Sequence, residues 1–259
     1  MGTVAKALSL LTLFNHTRPE IGLSDMTRLS GMNKATVYRL LSELQAQGFV
    51  EQAGPERAYR LGPEVLRLAA LREAAVPVLS VSRGVLEDLC RETGETAHMS
   101  LIQGTQLNTL IHAYSPRHAT RVMMDDAEVL SFHGTASGLA ILGFAAPDFV
   151  DAVLTPPLAR HTEATETNPA VIRAVLDSVR ATGIAESVGR FEADVHSHAA
   201  PIFDAERRPM GALAVAAPVS RMTPGHRSEI RQALHIRAME LTQRIGGFCP
   251  AGYPQDLAA

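Results

Sequence analysis

Three clusters of side chains in this chain have types and spacings suited to chemistry. The first lies in KATVYRLLSELQAQ and comprises Lys34, Ala35, Thr36, Tyr38, Arg39 and Ser42. On a helix these positions fall off the apolar stripe Val37, Leu40, Leu41, Leu44, so cationic and hydroxyl groups face outward. Lys34, Ala35 and Thr36 sit at the N-terminal end, the end that helix-turn-helix proteins insert into the DNA major groove. Arg39 can hold guanine O6 and N7 with two hydrogen bonds, or a phosphate. Thr36, Tyr38 and Ser42 suit phosphate and backbone contacts that set register. The second cluster is Asp194-Val-His196-Ser-His198. On a strand Asp194, His196 and His198 share one face, a geometry suited to a first-row metal that His112 or His133 could complete. The competing reading makes these histidines ligand-facing or solvated residues with no metal. The third is His133-Gly-Thr-Ala-Ser-Gly138, just before an apolar run. Free amides and the dipole at a helix start favour an anion there. Alternatively Gly134, Ala136 and Gly138 only permit tight packing, and Thr135 only caps the helix.

Elements that would position the first cluster are legible around it. The spacing predicts a core-facing first helix over Val4–Asn15, ended by His16-Thr17-Arg18-Pro19, and a short helix through Leu29 with Ser24 as its N-cap. Gly31 supplies a positive φ at the turn, and Asn33 caps a helix that runs to Gln47, with Gly48 following it. Phe49–Gln52 and Ala58–Leu61 read as two strands around Gly54-Pro55-Glu56-Arg57, where Arg57 could reach a flanking phosphate or the minor groove. A helix, a turn, a second helix and a hairpin make a winged helix-turn-helix.

Further along, a linker helix is predicted over 62–74 and a helix over Val78–Thr93, then a hairpin of Ala97–Ile102 and Thr109–Ala113. Helices follow near Thr135–Phe144 and from Asn168-Pro169 to Ala181. Strands near Gly183–Val188, Val195–Phe203 and Gly211–Ala216 precede an amphipathic helix over Thr223–Ile245. The tail GGFCPAGYPQDLAA is Gly/Pro-rich and predicted to fray.

Bulk properties fit this division. Of 259 residues with net charge −3, the first 75 carry nine Lys/Arg against seven Asp/Glu, a net +2 that leaves −5 on the remainder. The sign suits a DNA-binding head on an acidic body. Two distant cysteines, Cys90 and Cys249, with no CxxC pair point to a reducing cytoplasm. No stretch approaches a membrane span, and Lys6 interrupts the apolar start, which reads as a helix and not a signal peptide. Gly134-Thr-Ala-Ser-Gly138 lacks the central serine of a nucleophile elbow, and no phosphate-binding fingerprint is present. No catalytic residue, resident metal or cofactor is assigned.

The helix-turn-helix with KATVYRLLSELQAQGFVEQ and YRLG resembles the isocitrate-lyase-regulator (IclR) family of bacterial transcription factors. Leu130-Ser-Phe-His-Gly-Thr-Ala-Ser-Gly-Leu-Ala140, Ala199-Ala-Pro-Ile-Phe-Asp204 and Gly211-Ala-Leu-Ala-Val-Ala-Ala-Pro218 extend the resemblance over nearly the whole chain. It departs at Gly138-Leu139, where the family usually has Gly-Lys, and at Ala214 and Ala216, which replace two serines of members that bind small keto acids. The resemblance implies an α+β chain: a winged helix-turn-helix over 1–61, a linker helix over 62–76, a GAF-like α/β effector domain with a mainly antiparallel sheet over 77–248, and a flexible tail over 249–259. It implies dimers or dimers of dimers on palindromic double-stranded DNA, answering to a small carboxylate effector. Ala136 and Ser137 match the backbone positions that hold a carboxylate in relatives, and Ser197, Ala214 and Ala216 match ligand-contacting positions. With His133, Thr135, Asp194, His196 and His198 they make the candidate pocket. Two hydroxyls replaced by methyls favour a larger aromatic or hydrophobic acid. The alternatives are a metal-responsive regulator using Asp194, His196 and His198 and, more distantly, an enzyme with an accessory DNA-binding domain.

Overall fold

The computed structural model describes residues 2–15, 17–54, 57–75, 78–125 and 128–254, in two compact units, Met1–Pro77 and Val78–Ala259. The first contains α1 (Thr3–Leu11), α2 (Leu23–Ser30), α3 (Lys34–Ala46), β1 (Val50–Ala53), β2 (Ala58–Leu61) and α4 (Pro63–Ala75). Gly31 ends α2 in the left-handed region at φ 66°, which a residue with a Cβ would adopt only at a cost. Asn33 Oδ1 then accepts the Thr36 amide at 2.8 Å and starts α3. The predicted stripe Val37, Leu40, Leu41, Leu44 is buried with Leu10, Ile21, Met26, Val50 and Tyr59. The wing strands pair antiparallel from Val50↔Leu61 to Ala53↔Ala58; Pro55 and Glu56 of its turn lie outside the described residues.

Two local expectations are corrected. The first helix stops at Leu11, not Asn15. Asn15 Oδ1 accepts the Arg18 amide at 2.8 Å, and a short polar side chain of this kind offers the backbone an alternative to helix. On α1 it is Leu10 that is buried, while Val4 and Leu8 are exposed. Gly22, not Ser24, is the N-cap of α2, and it makes no side-chain cap bond.

The second unit holds α5 (Val78–Thr93), β3 (Thr96–Gln103), β4 (Gln106–Ala113), β5 (Val129–Leu130), α6 (Ala136–Phe144), α7 (Pro147–Val153), α8 (Pro169–Thr182), β6 (Ala185–Val188), β7 (Val195–Phe203), β8 (Pro209–Pro218) and α9 (Pro224–Arg244). The strands form one sheet in the order β5-β4-β3-β8-β7-β6, antiparallel throughout. Alternation sorts its side chains between two cores. Ala97, Met99, Ala200, Ile202, Leu213 and Val215 pack with Leu86 and Leu89 of α5 and Leu234 and Leu241 of α9. On the other face Ala199, Ala212 and Ala214 pack with Leu139 and Leu142 of α6 and Leu176 and Val179 of α8. Among the described residues no helix is long and apolar enough to cross a membrane.

The small side chains on that second face let α6 approach closely. A Cβ on Gly138 would overlap the Phe132 Cα and carbonyl. Residues 136–143 are all buried, as expected of a helix apolar on every side. The predicted fraying of 249–259 is corrected as far as Tyr253. Its ring is 3% exposed and lies 5.3 Å from the rings of both Phe144 and Phe203. Residues 255–259 lie outside the described residues.

Gly138→Ala is expected to cost about 1–3 kcal/mol of stability through overpacking. Gly225→Ala, where nothing lies within 4 Å, is expected to be near neutral. Urea unfolding of both variants checks the contrast.

Candidate functional site

On α3, Lys34, Ala35, Tyr38, Arg39 and Ser42 are exposed and Thr36 is half-buried. Three other cations of this unit are tied to acids: Arg28 to Asp25, Arg60 to Glu51 and Glu20, and Arg67 to Glu64. Lys34 and Arg39 have no such partner among the described residues, so their charge stays available on the outer face. Ser42 Oγ donates back to the Tyr38 carbonyl at 2.9 Å and keeps its lone pairs for a further contact. Arg57 stands on the wing at φ 54°, held by Gln52 Oε1, which accepts from its Nε and Nη2 at 3.1 and 3.0 Å.

In the second unit a cavity opens at the N-terminus of α6, with an empty volume of about 470 Å³, part of it open to solvent. Thr135 caps the helix, its Oγ1 accepting the Gly138 amide at 3.1 Å. The Leu139 amide bonds to the Thr135 carbonyl. Ala136 and Ser137 are the first two helical residues, so their amides have no intrahelical acceptor. Facing them across the sheet are Ser187, Ser197 and Ala216, which are direct cross-strand neighbours. His98 completes the floor, its Nε2 3.3 Å from Ser137 Oγ. Val122, Met124, Leu130, Phe191 and Val195 supply apolar walls, and Glu128 and Glu192 bring carboxylates to the lining. Among the described residues no lysine or arginine lines it.

Electrostatics follow from this enclosure. Burial, with His112 across the hairpin, holds His98 down to about 4, so it is neutral at ordinary pH. Its Nδ1 is buried without a partner among the described residues. Burial, aided by Asp125, raises the Glu192 carboxyl.

Of the residues expected at the pocket, Thr135, Ala136, Ser137, Ser197 and Ala216 line it. His133 does not: its Nε2 lies 2.8 Å from the Ala159 carbonyl and its Nδ1 3.1 Å from Ser131 Oγ. Those bonds hold the turn that leads into α6. Ala214 is buried in the core beside α6, one strand repeat away from the cavity. His196 and His198 point to the opposite face, where Glu186 meets them. Asp194 precedes β7 and is exposed, so the expected Asp194/His196/His198 face is corrected: the carboxylate comes from β6. His98, Ser187, Phe191 and Glu192 were not anticipated. Strand alternation already separates His98 from Ala97 and Met99, but its meeting with Ser137 depends on a contact 39 residues away.

Residues 3–54 match the IclR helix-turn-helix domain, and residues 72–243 match the family described as bacterial transcriptional regulator IclR C-terminal. The chain belongs to the IclR family of transcriptional regulators. Among IclR-type relatives, the glycerol operon regulatory protein of Streptomyces griseus is 32% identical, over 86% of this chain and 87% of that one. A candidate IclR transcriptional regulator from Silicibacter sp. TM1040 has a crystal structure that matches at 65% identity and TM-score 0.95, covering 98% of this chain and all of that one. An IclR homolog from Microbacterium hydrocarbonoxydans, crystallised in complex with 4-hydroxybenzoate, shares the fold at 23% identity and TM-score 0.78, covering 94% of this chain and 100% of its own.

Two predictions arise from this geometry. Lys34→Ala is expected to weaken operator binding and flatten the log K versus log salt slope by about one. Arg39→Ala should cost about 1–3 kcal/mol, and fluorescence anisotropy across a salt series measures both. For His98 the folded-state pKa lies below the unfolded one, so as pH falls below about 6.5 the unfolded chain takes the proton first. Stability is therefore lost between about pH 6.5 and about pH 4, by roughly 3 kcal/mol. His98→Gln should lack that part of the acid dependence in urea melts at stepped pH.

Proposed function

We propose that this IclR-family regulator binds a palindromic operator through residues 1–61 as a dimer or dimer of dimers. In this reading residues 77–248 sense a small aromatic or hydrophobic carboxylic acid, and residues 62–76 link the two. The protein works in the cytoplasm and has no catalytic role. The observation that carries the reading is the pocket's chemistry. It offers the amides of Ala136 and Ser137 to an anion at a helix start and surrounds the rest of the ligand with apolar walls.

With no lysine or arginine among the described lining residues, the carboxylate rests on these amides, hydroxyls and neutral His98. Ala216 leaves room for a ring where a serine would narrow the floor. Glu192, with its carboxyl raised by burial, suits the far end of a ligand that carries a hydroxyl donor. The 4-hydroxybenzoate bound by the Microbacterium homolog is an acid of this class. Self-association is supported by apolar side chains left outward on helices of the head. Leu66 and Leu71 of α4 are 75% and 56% exposed, and Val4 of α1 is 72% exposed. An effector then changes DNA occupancy only by binding the DNA-competent state better or worse than the other.

Thermal-shift screening of 4-hydroxybenzoate, benzoate, pyruvate and glyoxylate tests the ligand class. An aromatic acid at about a hundredfold above its Kd should stabilise by about 2.7 kcal/mol, a shift of roughly 5–10 °C for a unit of this size. Ala216→Ser should diminish that shift. Stabilisation by pyruvate or glyoxylate with none from the aromatic acids would sink the reading.

A further inference from the structure

We propose that Glu186, His196 and His198 form a binding site for one divalent first-row transition-metal ion such as zinc, on the sheet face opposite the effector pocket. The register of β6 and β7 creates it. His196 and His198 stand two residues apart on one face of β7, and Glu186 lies directly across from His198 on β6. Their rings stack with centroids 4.9 Å apart and planes 18° from parallel. Both Nε2 atoms lie near the same carboxylate oxygen, 2.6 Å away for His196, which hydrogen-bonds to it, and 3.4 Å away for His198. The three ligand atoms lie within 4.8 Å of one another.

Metal–ligand bonds of about 2.0–2.2 Å place the ligand atoms of a tetrahedral ion about 3.3 Å apart. The His198–Glu186 separation already fits, the His196–Glu186 one needs a retreat of under ~1 Å, and the two imidazole nitrogens, within 4.8 Å of each other, must close by up to ~1.5 Å. Glu186 can make that retreat, because its side chain is 37% exposed while the two imidazoles are almost fully buried. Two neutral nitrogens and one carboxylate are a donor set that zinc and its neighbours accept, with a fourth position open. Glu186 also lines an open groove with Arg190, Arg227 and Arg231, which gives an ion access and leaves the fourth position to water or an anion.

Two features limit the affinity. Arg227 Nη1 lies 3.6 Å from the same Glu186 oxygen and competes for its charge. His198 Nδ1 has no outer partner among the described residues, and such a partner is worth 10–100-fold in affinity. Binding should therefore be about 10–100-fold weaker than at a site whose histidines have their outer partners. The site matters to the rest of the unit because its strands are shared. Ser187 and Ser197, the next residues along β6 and β7, line the effector pocket on the other face.

The test is isothermal titration of zinc into tag-free, full-length protein stripped with chelator, followed by cobalt substitution. One ion per chain is expected, with visible cobalt bands of a low-coordinate nitrogen and oxygen set. Glu186→Gln and His196→Gln should each weaken binding by at least about tenfold, with circular dichroism showing that they fold. Should His196→Gln fail to fold, the half-exposed Glu186 still carries the test. The proposal is overturned by absence of zinc binding to the unaltered chain, by thiolate-to-cobalt charge transfer placing the ion at Cys90 or Cys249, or by undiminished affinity in Glu186→Gln.

Discussion

The close approach of α6 to the sheet is the constraint on which the second unit depends. An alanine at 138 would collide with the Phe132 backbone, and the strand face beneath carries Ala199, Ala212 and Ala214 in place of larger residues. A helix apolar on every side must be buried, so its N-terminus is carried inside with it. Buried amides need polar partners. Thr135, Ser131 and Ser187 serve the turn, Ser187 Oγ donating to the Gly134 carbonyl at 2.9 Å. What is left over, the amides of Ala136 and Ser137, faces a cavity. A partly polar cavity is thus a consequence of how this helix packs.

The second organising fact is the period of two along β6 and β7. Ser187 and Ser197 look toward α6, while Glu186, His196 and His198 look toward α9. Two polar clusters of different chemistry therefore share one pair of strands without mixing. Hydroxyls and amides suit an organic anion on one side. Imidazoles around a carboxylate suit a cation on the other.

Legibility in the sequence followed the range of the interactions. The Asn33 cap, the Gly31 turn and the Val37–Leu44 stripe all involve neighbours within one or two helical turns, and the structure reproduces them. Where local chemistry competed with the pattern, the reading slipped. Asn15 turned the chain early through its own side chain, and Val4 and Leu8 share a helical face that the core does not use. Tyr253 looked like part of a loose tail because nothing near it in sequence shows that Phe144, Phe203 and His235 form its berth.

In the pocket, α6 and its cap were legible, and so were Ser197 and Ala216 through the family resemblance. His98, Phe191 and Glu192 were not. They reach the cavity only because β3 pairs with β8 and because the segment before β7 folds back over the strand ends. The histidines on β7 were recognised as a pair, but their carboxylate was assigned to Asp194, two residues away on the chain, when strand pairing supplies Glu186.

By itself, then, the sequence determined most of the secondary elements, though not α7 or β5, together with the DNA-binding head and the family, because these rest on caps, periodicities and motifs read along one segment. Only the tertiary structure decided which side chains share a cavity and which carboxylate meets the histidines. Those choices are set by strand register, where pairing brings together residues that are distant along the chain and a shift of one position reverses every face.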